Sequence, residues 1–222
     1  MEGVVIEDCN DAPDWDDGRA RGDPTKGCAV SGGGYYRTGG DVKGNWASIM
    51  NNVMGMAQHL QKSTWGTPQT RPGCWPTPDA LEVGCTRQGT LGMNATEARS
   101  HFGMWAITSS PLILGLDFRD KAAVDFAWPI IANKEVLAVN RAWPASTFGG
   151  GTPGRLVLTD GAWAGGRIMN KTKQVWAKNV SATSVAVLFV NVGDTPQSIS
   201  VAFDAAAAGG PTQVREDRDV NE

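Results

Sequence analysis

Two histidines, two tyrosines and a net charge of only −3 are spread over 222 residues. So little histidine leaves few ligands for a zinc-type centre. His59 and His101 also fall in separate helical patterns, so no metal site and no cofactor is expected. The near-neutral charge removes the electrostatic reason to bind nucleic acid or an anionic membrane. No apolar run approaches the roughly 20 residues of a transmembrane helix. The opening MEGVVIEDCN places acids early and is too short in apolar residues for a secretory signal.

What is present reads as globular: 41 % hydrophobic and 19 % charged residues, enough for a sizeable core. Nine tryptophans stand against the two tyrosines; Trp faces stack on sugar C–H faces, but they also fill cores. Four cysteines (Cys9, Cys28, Cys74 and Cys85) and three N-x-[ST] sequons (Asn94, Asn170 and Asn179) point to an oxidising, secretory-type compartment. A secretory protein without a signal is read as a chain whose beginning lies elsewhere.

The stretch Tyr35–Trp46, YYRTGGDVKGNW, carries the first sign of chemistry. Two aromatics end an extended segment, Thr38-Gly39-Gly40 turns, and helical spacing begins beyond it through Trp46, Ile49, Met50, Val53, Ala57 and Leu60. Asp41 therefore sits between a strand end and a helix start, with Arg37 before it. That position suits a catalytic carboxylate on a (β/α) rim. It equally suits a helix N-cap, and both readings stand at this point.

Around it, Val4-Val5-Ile6 opens as a buried strand, and residues 11–34 form a long Asp/Gly/Pro-rich loop that a Cys9–Cys28 bridge would pin. Cys74–Gly84 presents Asp79 on a proline-stiffened segment beside Trp75. Asn94 with Glu97 is a capping box opening a helix. Pro111–Asp117 reads as a buried strand, and 122–132 and 134–139 as helices on either side of Asn133. This alternation is half of a β/α architecture. At Phe148–Gly154 the composition becomes a linker, and short alternating segments follow at 156–158, 174–177 and 185–192. Gly193–Pro196 reads as a hairpin turn leading to Ile199, Val201 and Phe203. The division is 1–147 for the β/α part and 155–222 for an antiparallel β domain.

Four blocks resemble one family: YYRTGGDVKGNW, RPGCWPTPDALEVG, ATEARSHFGMWAITSSPLILGLDFRD and IIANKEVLAVNRAWP, in that order. Together they are similar to glycoside hydrolase family 27, the α-galactosidases. The resemblance implies an α/β fold, the C-terminal half of a (β/α)8 barrel followed by a small antiparallel β-sandwich. It implies retaining hydrolysis of terminal α-galactosyl residues of an oligosaccharide or glycoconjugate, with no cofactor, in a secreted or lysosomal/vacuolar setting. Asp41 corresponds to the general acid/base and Arg37 to a sugar-contacting residue. Asp79 matches the second Asp of a segment that binds substrate hydroxyls, with Trp75 beside it. Thr77 replaces the first Asp of that segment, Ala80 replaces a Met, and Asn10 stands where many members have Glu or His. Cys9 and Cys28 correspond to a family disulfide. The family's nucleophile, an Asp closing the fourth strand, has no counterpart: Glu7, Asp8 and Asp11 belong to strand five and its loop. A retaining enzyme needs two carboxyl groups about 5–5.5 Å apart, so a non-catalytic sugar-binding remnant, or a fragment that works only with its missing half, is the alternative.

Overall fold

A computed structural model describes residues 6–8, 34–61, 74–87, 89–143, 154–159, 162–164, 167–169 and 173–201. The proposed Cys9–Cys28 bridge, the loop around it, Asn170, Phe203 and the linker after Trp143 lie outside the described residues.

Three parallel strands stand in chain order: β1 (Ile6–Asp8), β2 (Gly34–Arg37) and β3 (Cys74–Thr77). Their register pairs Tyr35 with Glu7 on one side and with Trp75 on the other. Sequential order and parallel pairing require a crossover each time. The crossover from β2 to β3 contains helix α1 (Trp46–Gln61). Its stripe is buried as the spacing predicts, with Ile49, Met50, Val53 and Ala57 all in the core. The helix is not capped by Asp41. Asn45 Oδ1 accepts from Ser48 N–H at 3.0 Å, so the cap lies four residues further on and Asp41 is released for other work.

After β3 a two-stranded ribbon, β4 (Thr86–Arg87) and β5 (Thr90–Leu91), precedes helix α2 (Ala95–Ile107). Here the capping box forms: Asn94 Oδ1 accepts from Thr96 and Glu97 N–H, and Glu97 returns a bond from Asn94 N–H. Helices α3 (Lys121–Ile131) and α4 (Lys134–Arg141) are separated at Asn133, which caps the second. The segment Pro111–Asp117 is not a buried strand. It makes one isolated parallel bridge, Leu114 to Leu81, and Ile113 is 42 % exposed. Pro111 has no N–H to give a ladder, and among the described residues the pairing is limited to the bonds Leu81 N–H to Ile113 O and Gly115 N–H to Leu81 O.

The antiparallel part comprises β6 (Arg155–Thr159), β9 (Lys173–Asn179) and β10 (Val185–Asn191), with β9 in the centre, and a ribbon of β7 (Ala162–Ala164) and β8 (Arg167–Met169). Among the described residues this is one three-stranded layer and one ribbon. The hairpin turn is residues 180–184 between β9 and β10, closed by Val180 N–H to Ser184 O. Gly193–Pro196 follows β10 as expected, with Asn191 Nδ2 donating to Thr195 O, but the described residues beyond it, 197–201, form no strand to complete a second hairpin. The sheet lies on α1 and α2: Leu156, Trp176 and Val190 belong to the same core as Ile49, Phe102 and Trp105.

One charge is sealed into that contact. Lys178 on β9 is fully buried, and its Nζ donates to Ser109 Oγ at 2.7 Å, to Asn140 O at 3.1 Å and to Val139 O. Val139 and Asn140 lie in the last turn of α4, where carbonyls lose the regular helical pairing and carry partial negative charge, although Val139 O also accepts from Ala142 N–H. Ser109, at φ 58°, lies just past the end of α2. Burial pushes the Lys178 ammonium down to about 8.

Candidate functional site

Arg37 is the last residue of β2, and its register partner on β3 is Thr77. Parallel strands present their C-terminal ends on one rim, so the turns that follow, 38–45 and 78–82, leave the sheet side by side. Thr38 N–H donates to Thr77 O at 2.8 Å and continues the pairing past the strand ends. The geometry that results is a fork. Arg37 Nη1 donates to Asp41 Oδ1 at 2.8 Å, and Nη2 donates to Asp79 Oδ2 at 2.9 Å. Arg37 and Asp79 side chains are 18 % and 20 % exposed, whereas Asp41 is 88 % exposed. One permanent cation thus orders two carboxylates, one lining the rim and one open to solvent.

The turn bearing Asp41 is held by its backbone. Asn52 of α1 donates from Nδ2 to Gly40 O and to Pro78 O, tying the two turns together at 2.8 and 2.7 Å. Asp79 Oδ2 also accepts from Val42 N–H at 2.8 Å. Lys43 N–H donates to Ser48 Oγ. Two glycines are required for this packing. A Cβ on Gly92 would stand 1.7 Å from Gly44 O, and one on Gly55 would stand 2.7 Å from Thr38 O.

Asp79 itself has φ 117°, a conformation unusual for a residue with a side chain. Such strain is of order 1–3 kcal/mol and collects where a side chain must be aimed. Thr77 supports it by accepting from Asp79 N–H and donating to Asp79 O. Thr77, the replacement for an Asp in the resemblance, therefore acts here on the backbone of the rim.

Beside this fork lies a second titratable group that sequence reading did not single out. Burial pushes the Glu82 carboxyl up, against hydrogen bonds from the Cys85 thiol and from Gly44 N–H that pull it down. Cys85 is a free thiol, and burial together with the Glu82 charge pushes it up to about 12, so it is not a reactive thiolate. Glu82 stands three residues beyond Asp79 on the same rim segment, and that spacing was the signal available.

Of the residues expected at the site, Arg37, Asp41 and Asp79 are brought together. Trp75 is not with them. It lies two residues before the strand end, and its ring meets Trp143 edge to face at 4.9 Å between centroids. Among the described residues no group of three His, Cys, Asp or Glu side chains is arranged for a metal ion. No helix among them is long and apolar enough to cross a membrane. The Ser109–Lys178 pair has the composition of a serine–lysine dyad. It is sealed from solvent, and Nζ gives its protons to carbonyls, so the pair is structural.

A family model, Melibiase_2, described as alpha galactosidase A, matches residues 4–142. Alpha-galactosidase 2 of Arabidopsis thaliana is 34 % identical over 168 residues, covering 76 % of this chain and 35 % of its own length. The alpha-galactosidase of Cyamopsis tetragonoloba is 34 % identical over 169 residues, covering 74 % and 36 %. Among solved structures, alpha-galactosidase I from Mortierella vinacea superimposes with a TM-score of 0.54 at 26 % identity, covering 78 % of this chain and 41 % of that one. An α-galactosidase from Saccharomyces cerevisiae, solved with raffinose, has a TM-score of 0.54 at 20 % identity, covering 82 % and 40 %, and shares the fold. The chain spans about a third of the length of the curated relatives it matches. With an α/β fold and matching residues that run through the whole Arg37–Asp41–Asp79 fork, this chain belongs to the alpha galactosidase A (melibiase) family.

Proposed function

We propose that this chain carries the acid/base side of a retaining α-galactosidase site that acts on terminal α-galactosyl residues. The observation that supports it is the fork itself: Arg37 holding Asp41 and Asp79 at the ends of two adjacent parallel strands. In this reading β1, β2, β3 and the Leu114 bridge are the last four strand positions of a (β/α)8 barrel within residues 1–147. Residues 155–222 are the C-terminal antiparallel domain. The parallel pairing in chain order favours that assignment.

The roles follow from chemistry. Asp41, open to solvent, faces the glycosidic oxygen and gives it a proton as the bond to the anomeric carbon breaks. Arg37 and Asp79 are donor and acceptor for sugar hydroxyls, and Asp79 also fixes the Asp41 turn through Val42. The attacking carboxylate comes from the barrel's fourth strand, so the fork performs one side of the reaction and turnover needs the remaining strands. No cofactor is required, since the reaction is proton transfer and substitution only. The substrate class is an α-galactoside such as the raffinose of the Saccharomyces cerevisiae structure. The cysteines and sequons favour a secreted or lysosomal/vacuolar location.

The ion pair that occupies Asp41 with Arg37 also favours a second reading, a sugar-binding remnant without turnover. The two separate in a chimera in which residues 4–142 replace the matching segment of a full-length relative. Asp41→Asn in that chimera should cost at least about 100-fold on raffinose. Glycosylation by an aryl α-galactoside with a good leaving group should suffer far less, because that group departs without a proton. Equal losses on both substrates would remove Asp41 from the acid role. Galactose binding with no hydrolysis by the unmutated chimera would establish the remnant.

A further inference from the structure

Asp79 keeps a strained backbone, and something must hold it there. Two side chains of α2 grip the segment from beneath. Trp105 Nε1 donates to Asp79 O at 2.8 Å, and His101 Nε2 accepts from Glu82 N–H at 3.0 Å. They stand four residues apart, on one face of the helix, with rings edge to face at 4.1 Å between centroids. Both are completely buried. The two bonds fall on the first and last residues of the segment 79–82, while Leu81 between them is bonded to Ile113 and Gly115. From the gripped segment Asp79 then reaches across the rim to accept from Val42 N–H, and Glu82 Oε2 lies against Gly44, on either side of Lys43 in the turn that carries Asp41.

We propose that His101 and Trp105 are positioning residues that set Asp79 directly, and Asp41 through it, by clamping the backbone of residues 79–82. The proposal rests on the reading of Arg37, Asp41 and Asp79 as a sugar site. Neither ring touches Arg37 or Asp41. Their action passes through an N–H and a carbonyl, so each needs one polar atom in one place. For His101 that atom is a lone pair on Nε2, which fixes the proton on Nδ1. Burial suits this, because it holds the ring neutral and so keeps the lone pair free.

The test uses the full chain and amide hydrogen exchange at Val42 and Gly44, with β9 and β10 amides as the reference for global opening. Trp105→Phe keeps the aromatic volume and removes the donor; His101→Leu keeps an apolar body and removes the acceptor. Each should speed exchange at Val42 about tenfold or more relative to the reference, the loss expected when a buried hydrogen bond is removed. His101→Gln, whose amide oxygen can accept from Glu82 N–H, should stay within about threefold. A purely packing role gives the opposite ranking, with leucine tolerated and glutamine not, or a parallel acceleration of all core amides; either result overturns the proposal. Nitrogen-15 spectra of the wild-type imidazole decide the matter without a variant. An Nδ1–H tautomer with slow exchange of the Trp105 indole proton is expected, and an Nε2–H tautomer would overturn the clamp. Galactose is absent from these measurements. A separate galactose titration of the 4–142 chimera decides the sugar-site reading, and failure there leaves the exchange ranking standing.

Discussion

Two cations organise this molecule in opposite ways. Arg37, at the rim, is matched by two carboxylates, one of them nearly fully exposed. Lys178, in the contact between sheet and helices, is matched by neutral oxygens of Ser109, Val139 and Asn140 and has no access to water. At the rim, charge answers charge: the solvent-open Asp41 contributes about 0–1 kcal/mol through its pair with Arg37 and can be exchanged for a substrate hydroxyl at little cost, while the part-buried Asp79 keeps Arg37 in place. In the core, an ammonium joins the ends of two helices, and withdrawing it leaves the Val139 and Asn140 carbonyls to long bonds from Ala142 N–H and Ser109 Oγ, where no water can replace it. Position, not the identity of the charge, separates a group that can serve chemistry from one that serves only cohesion.

Removing each cation tests that contrast most directly. Lys178→Ala should lower unfolding free energy by about 3–5 kcal/mol, from the cavity it leaves and from buried Val139 and Asn140 carbonyls reduced to their long bonds from Ala142 N–H and Ser109 Oγ. Urea denaturation followed by tryptophan fluorescence measures it. A loss below about 1 kcal/mol would mean that the oxygens find other donors. A titration toward acid brings in a third group, buried and uncharged. Burial holds His101 near 3 in the folded protein, against 6.5 for the free side chain. Between those values the unfolded chain binds more protons, so stability is fully present above 6.5 and declines as pH falls toward 3. Its slope approaches about 1.4 kcal/mol per pH unit. Glu82, pushed up by burial, works against this above its ordinary value of 4.5, where the folded chain holds the extra proton. In His101→Gln the slope should flatten; an unchanged slope would assign acid sensitivity to other groups. The smallest effect is expected for Arg37→Met, about 1–3 kcal/mol, since Asp79, only 20 % exposed, loses its cation but keeps Val42 N–H. The same substitution should abolish galactose binding by the 4–142 chimera, measured by calorimetry. Retained binding would separate the fork from the sugar.

Much of the fold was legible because it rests on spacing. The α1 stripe from Trp46 to Leu60 and the Asn94–Glu97 box are local signals, and local physics decides them. The fork residues were legible as types and as a resemblance, but not as a unit: Arg37 and Asp79 are 42 residues apart, and only parallel pairing of β2 with β3 joins them. The cap stayed open in the sequence because Asp41 and Asn45 are both capping residue types before the same stripe, and tertiary demand on Asp41 decided between them. Pro111–Asp117 failed as a strand because apolar runs say nothing of whether a partner stands alongside. Lys178 was invisible for a similar reason. A lysine ending an apolar alternation reads as an exposed strand end, and the helix ends that receive it come from elsewhere in the chain. His101 read as a helical residue of no special role, since its acceptor function depends on one backbone N–H across the rim.

The close approach of Gly92 to Gly44 bears on how such a site can diversify. Where main chain lies against main chain, the fit tolerates no side chain, so Gly92→Ala would displace the Asp41 turn although residue 92 carries no functional group. Shape at this rim is thereby entrusted to positions with nothing to offer a ligand. Positions such as Ala80 are left to drift. A lineage can then rewrite the lining of its pocket, one residue at a time, without retuning the frame that holds the acid.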